Sequence, residues 1–147
     1  MNNSGSDKGL RSLGKLKTLQ SLGLKRTKVT DAGLAELWTL VQLGSLGLDG
    51  TQISDEGLNH LADIVSLVRI DLNDTKISDA GLKHLGRLPK LQVLYIAKTE
   101  ISDSGLASLG TFPKIKRIYV SKRLTPERLR AVRELLPKID VEQDRQY

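Results

Sequence analysis

Hydrophobic residues repeat along the chain with a period of 24 positions. Successive copies of the pattern L-x-x-L-x-L-x-x-T-x-I-S-D-x-G-L-x-x-L-x-x-L-x-x open at Leu19, Leu43, Leu67, Leu91 and Ile115. Such a period, kept without gaps, indicates a solenoid in which each unit packs only on its neighbours. Almost every apolar residue then serves the stack, so a functional site must be sought among the positions that the repeat leaves free.

Two periodicities within each copy predict its local structure. Apolar and free positions alternate around Leu22 and Leu24, which is the pattern of a short strand. Further on, Leu34, Leu37 and Leu40 stand three apart, which predicts a helix with one buried face. We expect parallel strands at 21–24, 45–48, 69–72, 93–96 and 117–120, and a sixth near 139–141.

Recurrent polar, glycine and proline positions separate these elements. A hydroxyl residue that can cap the helix is followed by an aspartate suited to the positive end of the helix dipole. Glycine recurs where a missing side chain lets neighbouring helices or backbones approach, and proline recurs where the chain leaves the helix. The four columns are Thr30, Ser54, Ser78 and Ser102; Asp7, Asp31, Asp55, Asp79 and Asp103; Gly9, Gly33, Gly57, Gly81 and Gly105; Pro89, Pro113 and Pro137.

The combined pattern resembles the leucine-rich repeat family over nearly the whole chain. Residues 27–34, Thr-Lys-Val-Thr-Asp-Ala-Gly-Leu, are similar to repeats common in bacterial, notably planctomycete-like, proteins and in the F-box-associated arms of ubiquitin ligases. The best-known repeats carry Asn after the strand, where this chain has Thr27, Thr51, Thr75 and Thr99. The resemblance implies an α/β, right-handed solenoid with a curved parallel sheet on the concave face and helices on the convex face.

The two ends depart from the repeat in different ways. Residues 6–10 are in register with residues 54–58, so the chain begins halfway through a unit, and we expect a helix from about Asp7 to Leu16. The polar lead-in Met1 to Gly5 favours the removal of upstream repeats, with a natural helical cap as the alternative. At the other end, Arg123 replaces the threonine and a more charged helix follows.

We therefore predict one domain over residues 1–147. It comprises a partial first repeat at 1–18, regular repeats at 19–42, 43–66, 67–90 and 91–114, and a divergent capping repeat at 115–147. The absence of cysteine favours a cytoplasmic setting over the disulfide-capped extracellular one, although a signal segment upstream is an alternative. No apolar run is long enough to span a membrane, and we expect a monomer.

Charge is unevenly distributed along the chain. Residues 1–28 carry seven basic residues and one acid (+6), residues 29–113 six and eleven (−5), and residues 114–147 ten and five (+5). Basic ends around an acidic middle argue against a continuous nucleic-acid track, which would need an unbroken basic stripe. The basic carboxyl-terminal end is interpreted as a solvated capping helix, with a contact patch as the alternative.

Strand positions that alternate with the buried leucines should face the concave side, and there the sequence varies from copy to copy. Tyr95 and Tyr119 fall in one column of adjacent strands, flanked by Arg69 and Arg117, which is the composition of an interface hot spot. The alternative is a cross-strand aromatic pair that covers the sheet near the cap. The candidate partner-binding residues are Arg69, Asp71, Tyr95, Arg117, Tyr119 and Lys122.

The remaining concave positions divide the face into two halves. Small residues make the amino-terminal half featureless. The acids of the centre are expected to be solvated, with an acidic centre that takes a basic side chain of a partner as the alternative. The small residues are Ser21, Gly23, Ser45 and Gly47, and the acidic ones Asp49, Asp71 and Asp74. Trp38 stands in a column otherwise held by glycine and alanine, and is interpreted as local packing or a secondary contact.

The spacing of the candidate residues does not support a calcium loop, a histidine metal site or a catalytic site. Residues 71–75 start like a calcium loop, but Lys76 stands where that loop needs Gly and Leu82 where it needs Glu. His60 and His84 share a column on successive helices, so they diverge and are expected to be surface residues. No nucleophile, base and orienting group can be assembled. We therefore predict no catalytic residue, metal or cofactor.

The leading hypothesis is a non-enzymatic module that binds a protein or peptide on its concave sheet. Two alternatives stay open: the substrate-recognition arm of a ubiquitin-ligase-type adaptor, and nucleic-acid binding through the basic ends. An F-box upstream would favour the first, and a strong salt dependence of binding the second.

Overall fold

The computed structural model describes residues 7–145. The predicted lead-in Met1 to Gly5 lies outside these residues. The strands are β1 Ser21–Gly23, β2 Ser45–Gly47, β3 Arg69–Asp71, β4 Val93–Tyr95, β5 Arg117–Ser121 and β6 Asp140–Asp144. The helices are α1 Asp7–Leu13, α2 Asp31–Leu34, α3 Asp55–Leu61, α4 Asp79–Leu85, α5 Asp103–Ser108 and α6 Pro126–Leu135. Short 3₁₀ turns at Ala35–Leu37 and Leu109–Thr111 continue α2 and α5.

The six strands form one parallel sheet in chain order, which confirms the predicted solenoid. Equivalent residues of successive copies pair without a shift, so that Leu22, Leu46, Ile70, Leu94, Ile118 and Val141 form one row. Strands β1 to β5 end within one residue of expectation, and two boundaries differ by three residues. The sixth strand extends to Asp144, and α1 ends at Leu13, since the chain turns there to reach β1.

The core is a continuous apolar layer between the sheet and the helices, running from Leu10 to Val141. Leucines of the helical half, such as Leu34, Leu58 and Leu82, are fully buried against the strand row. Burial of this kind supplies most of the stability of such a fold, because each repeat alone exposes both of its apolar faces.

The threonine column explains why this chain dispenses with asparagine after the strand. Each hydroxyl donates to the carbonyl oxygen three residues earlier, over 2.6–2.9 Å, at Thr27, Thr51, Thr75 and Thr99. The turn is thereby closed within its own repeat. The residue before each threonine is left-handed, with φ of 53° at Arg26, 65° at Gly50, 55° at Asp74 and 56° at Lys98.

The aspartate column does more than oppose the helix dipole, because each carboxylate bridges to the next repeat. Asp55 accepts both the backbone N–H of Ser78 (2.8 Å) and its hydroxyl (2.5 Å). The same pair of bonds joins Asp7 to Thr30, Asp31 to Ser54 and Asp79 to Ser102. The Ser102 hydroxyl and amide hold the pKa of Asp79 below its ordinary value.

These bridges correct one expectation about the punctuation and refine another. The hydroxyls of Thr30 and Ser54 do not cap their own helices, whereas Ser78 and Ser102 also accept a helix amide. The glycines make room for the helix of the preceding repeat, as expected, and in particular for the aspartate that opens it. A Cβ built at Gly33, Gly57, Gly81 or Gly105 would lie less than 3.0 Å from that carboxylate.

The last repeat replaces the bridge with different chemistry. The position equivalent to the bridged Ser102 is Thr125, the N-cap of α6. The Arg128 guanidinium donates to the Asp103 carboxylate instead. Thr125 caps α6 through the Arg128 amide at 3.3 Å, and Pro126 occupies the first turn, where its missing N–H costs nothing.

Candidate binding site on the concave face

A stack of three side chains crosses strands β3 to β5 on the concave face. The rings of Tyr95 and Tyr119 lie parallel within 10°, with centroids 4.2 Å apart. The guanidinium carbon of Arg69 lies 4.6 Å from the Tyr95 ring centroid, and Arg69 Nη2 donates to the Tyr95 hydroxyl at 2.5 Å. Partial burial raises the pKa of Tyr95, so the phenol stays protonated at neutral pH. The stack is therefore held in place before any partner arrives.

The stack lines a cavity of about 370 Å³ between the middle of the sheet and its carboxyl-terminal edge. Four predicted residues meet there: Arg69, Asp71, Tyr95 and Tyr119. The far wall is residues 142–145 at the end of the sheet. Apolar ring faces and charged groups of both signs thus converge on one concave surface.

Two of the predicted residues lie beside the cavity rather than in it. Arg117 Nε contacts the carboxylates of Asp140 (2.8 Å) and Glu142 (3.1 Å), so it is committed to the last strand. Its pKa is raised, chiefly by a hydrogen bond with Tyr119 and then by Asp140. Lys122 is exposed, and its carbonyl oxygen accepts from Gln143 Nε2 at 3.3 Å.

The acidic centre is more enclosed than solvated acids would be. Asp49 is buried and pairs with Lys25 at 2.9 Å, whereas Asp74 is exposed. Asp71 is half-buried, and this burial, together with the nearby charges of Asp49 and Asp144, raises its pKa despite the Asn73 amide that it accepts. The expectation of exposed acids is wrong for Asp49, because Lys25 covers it.

A family model of the leucine-rich repeat matches residues 65–86 and 87–110. The chain has the fold of a leucine-rich repeat solenoid. A search of the curated proteins gave no match.

Solved structures of bacterial leucine-rich repeat proteins share its fold. An internalin from Listeria monocytogenes superposes with a TM-score of 0.70 at 24% identity, over 91% of this chain and 37% of the internalin. Internalin C2 of the same species gives 0.65 at 23% identity, over 91% and 55%. A leucine-rich repeat protein of Leptospira interrogans gives 0.62 at 22% identity, over 90% and 33%. The chain thus spans between a third and just over half of their lengths, and these likenesses describe the fold alone.

Leucine-rich repeat domains are typically protein-interaction modules and generally non-catalytic. Within residues 7–145, no three His, Asp or Glu side chains are placed to hold a metal ion. In the same residues, no helix is long and apolar enough to cross a membrane.

Sequence reasoning missed the contribution of the last strand and of one buried amide. Asn73 is fully buried, its Oδ1 accepts from the Ala97 amide at 2.6 Å, and its Nδ2 donates to Asp144 Oδ2 at 2.7 Å. Asp144 is also buried and ties the end of β6 to the turn after β3. Asn73 stands at a repeat position whose residues differ from copy to copy, so the sequence does not identify its partner.

The two halves of the concave face differ as expected. Ser21, Gly23, Ser45 and Gly47 give β1 and β2 a surface without large side chains, and a Cβ added at Gly23 would meet nothing within 4 Å. Trp38 is 66% exposed, so packing within the chain covers only a minor part of its surface.

Proposed function

We propose that the chain is a non-catalytic module that binds a protein or peptide through the carboxyl-terminal half of its concave face. The observation that carries this proposal is the Arg69, Tyr95 and Tyr119 stack on three adjacent strands, lining a cavity of about 370 Å³. Aromatic and arginine side chains held on rigid strands contribute most of the energy at protein interfaces, because little side-chain entropy is lost when they are covered.

The charges around the stack indicate what the partner presents. No carboxylate among residues 7–145 forms an ion pair with Arg69, so its outer N–H groups can receive an acidic or carbonyl group. Asp71, on the same strand, offers a carboxylate whose pKa a basic side chain would lower again. A partner segment with neighbouring acidic and basic residues fits both.

The proposal separates recognition from stability, and alanine variants test it. Tyr95→Ala and Tyr119→Ala remove ring area from the concave face without touching the buried strand row. We expect each to weaken the partner by about 2 kcal/mol, with a smaller change in the free energy of unfolding. Ser21→Ala and Ser45→Ala, on the featureless half of the same face, are the matched controls and should be nearly silent.

The experiment uses the whole chain as bait in a lysate of the source cell. A specific partner is retained by wild type and by the serine variants and is depleted by the tyrosine variants; it is then purified and titrated against all five proteins. Equal affinities for wild type and the tyrosine variants would reduce the pair to cross-strand packing. Proteins released by moderate salt from every variant alike would point to charge alone.

A further inference from the structure

The segments that lead from each helix to the following strand form one flank of the solenoid. Because all strands are parallel and in register, these segments lie along the same edge of the sheet. A backbone ladder joins them, from the Gly44 amide to Gln20 (2.9 Å), from Val68 to Gly44 (2.8 Å) and from Gln92 to Val68 (2.8 Å). We call this edge the helix-to-strand flank; its residues are 14–20, 38–44, 62–68, 86–92, 110–116 and 135–139.

Every large hydrophobic side chain that is exposed among residues 7–145 lies on this flank. They are Leu16 (51% exposed), Trp38 (66%), Val41 (66%), Val65 (55%) and Leu135 (44%). Leu16 belongs to a column that is buried in later repeats. The Trp38 position holds glycine or alanine in other repeats, and the Val41 position holds lysine, valine or proline. Exposed apolar groups gathered on one side of a protein mark a contact surface.

The same flank is strongly basic. Seven basic residues face one acid, Asp63, and all eight are exposed. No ion pair involves the seven within residues 7–145. They are Lys15, Lys17, Arg87, Lys90, Lys114, Lys116 and Lys138.

The opposite flank has a different composition. Its segments, 24–30, 48–54, 72–78, 96–102 and 122–125, also carry seven basic residues, but with three acids among them. The described structure exposes no large hydrophobic side chain there. Basic charge and exposed apolar groups therefore coincide on the helix-to-strand flank alone.

A cavity of about 410 Å³ opens at the carboxyl-terminal end of the helix-to-strand flank. Its walls include Phe112, Pro113, Leu135 and Pro137, and Lys138 lies among them. A recess with both apolar and polar lining, and with a lysine in its wall, suits a molecule with a hydrocarbon part and a negative head.

We propose that the helix-to-strand flank docks on the surface of an anionic lipid bilayer. Lysine and arginine are attracted to acidic headgroups. Tryptophan is enriched at the boundary between headgroups and acyl chains, and aliphatic side chains insert shallowly into the bilayer. Nucleic acid would use the basic residues but would leave the valines and leucines without partners. With this flank on the membrane, the concave face stands clear of the lipid and open to a partner.

Trp38 provides the reporter, since it is the only tryptophan in the chain. The full chain is titrated with vesicles of phosphatidylcholine alone and with vesicles that also contain phosphatidylserine. We expect the Trp38 emission to shift to the blue, and the protein to float with the vesicles, only when phosphatidylserine is present. Added salt should reverse both effects. An absent shift and absent flotation with phosphatidylserine vesicles, or equal binding to both compositions, would overturn the proposal.

Matched variants test the residues. Each basic side chain near an anionic leaflet contributes about a fivefold factor, so Lys114→Gln with Lys116→Gln should weaken binding on the order of 25-fold. Lys28→Gln with Lys76→Gln removes the same charge from the opposite flank and should leave binding within about twofold. Val41→Ser with Val65→Ser should weaken binding several-fold, with an unchanged circular dichroism spectrum because both side chains are exposed.

Three further outcomes decide the rest. Equal loss in both lysine pairs would mean a general charge effect and no docking flank. Binding to duplex DNA that equals vesicle binding and ignores the valine changes would assign the flank to nucleic acid. Tyr95→Ala should bind vesicles as wild type does, so the lipid result and the concave-face proposal stand or fall separately.

Discussion

At the amino-terminal end of the described solenoid the outermost strand is β1, three residues long and uncharged, whereas at the carboxyl-terminal end it is β6, five residues long with three acids. Charged side chains and short length both limit the pairing of an outer strand with another chain, so the two outer strands rely on different features. Leu16 lies 51% exposed near β1, while its counterparts Leu40, Ile64 and Leu88 are buried. The same residue in the same column is thus core or surface depending on the neighbour that covers it.

The carboxyl-terminal unit also makes bonds that the regular repeats do not make. Arg128 takes the place of a serine on Asp103, and Arg133 donates to the Val141 carbonyl oxygen at 3.0–3.1 Å. Asp144 reaches back to Asn73. The last described unit therefore differs from the others through side chains after residue 122 that the repeat pattern does not contain.

Shortening a leucine to alanine within one column gives the largest expected difference, between the amino-terminal end and the interior of the stack. Leu40→Ala should lower the free energy of unfolding by about 3 kcal/mol, because its side chain is fully buried. Leu16→Ala should lower it by less than about 1 kcal/mol, since half of that side chain is already in water. Urea unfolding measures both, and similar losses would show that the amino-terminal end is as well covered as the middle.

The second largest difference in the free energy of unfolding is expected between loss of the Asp55 bridge and loss of the Asp103 ion pair. Asp55→Ala removes two hydrogen bonds and leaves the Ser78 amide and hydroxyl without their acceptor, at about 2 kcal/mol. Asp103→Ala removes an exposed ion pair with Arg128 and should cost about 0.5 kcal/mol. Thermal unfolding of the two variants compares the repeating bond with its replacement; an equal loss would mean that the arginine is a full substitute.

Acid should act on the bridge between Asp79 and Ser102. The pKa of Asp79 is lowered in the folded chain by the Ser102 hydroxyl and amide, so its carboxylate stabilises the fold above its ordinary pKa of 3.8. That stabilisation is lost as the pH falls through the lower, folded value. In Asp79→Asn the free energy of unfolding should decline less steeply below about pH 5 than in wild type. Asp103→Asn, which lacks a serine partner, is the control, and a wild-type slope in Asp79→Asn would exclude the bridge as the acid-sensitive group.

The smallest effect concerns a left-handed turn. Arg26 has φ of 53°, a conformation that costs a side chain about 1 kcal/mol and that glycine adopts freely, as Gly50 does one repeat later. Arg26→Gly should raise the free energy of unfolding by about 0.5 kcal/mol, after the entropy that glycine gains in the unfolded chain. Calorimetry would show a small rise in Tm; a fall would mean that the Arg26 side chain contributes more than its backbone costs.

The fold could be predicted from the sequence because the strand row and the helix leucines recur at fixed positions. Leu22, Leu46 and Ile70 alternate with free residues, and this pattern placed the strands within a residue or two. The extension of β6 to Asp144 could not be predicted, since Glu142, Gln143 and Asp144 show no apolar alternation. Their strand conformation comes from the exposed edge of β5 beside them.

Contacts of the candidate site could be predicted where the two residues are one repeat length apart, and could not be predicted where their separation does not match the repeat. Tyr95 and Tyr119 are 24 residues apart, so the column alone made them neighbours. Asn73 and Asp144 are 71 residues apart and obey no repeat. Likewise, the recurrence of aspartate and of serine was visible, but a carboxylate that binds the following repeat needs the stacking distance, which only the folded chain supplies.

The bridges between aspartate and hydroxyl give the stack a direction, because each carboxylate binds only the unit that follows it. A duplication of any whole 24-residue unit would therefore create one more carboxylate and one more hydroxyl, already matched. Neither terminus would need redesign, and the tyrosine pair would keep its distance from the last strand. Gene duplication can lengthen this protein in steps of one repeat. Insertions of other lengths would leave an aspartate without the hydroxyl of a following repeat.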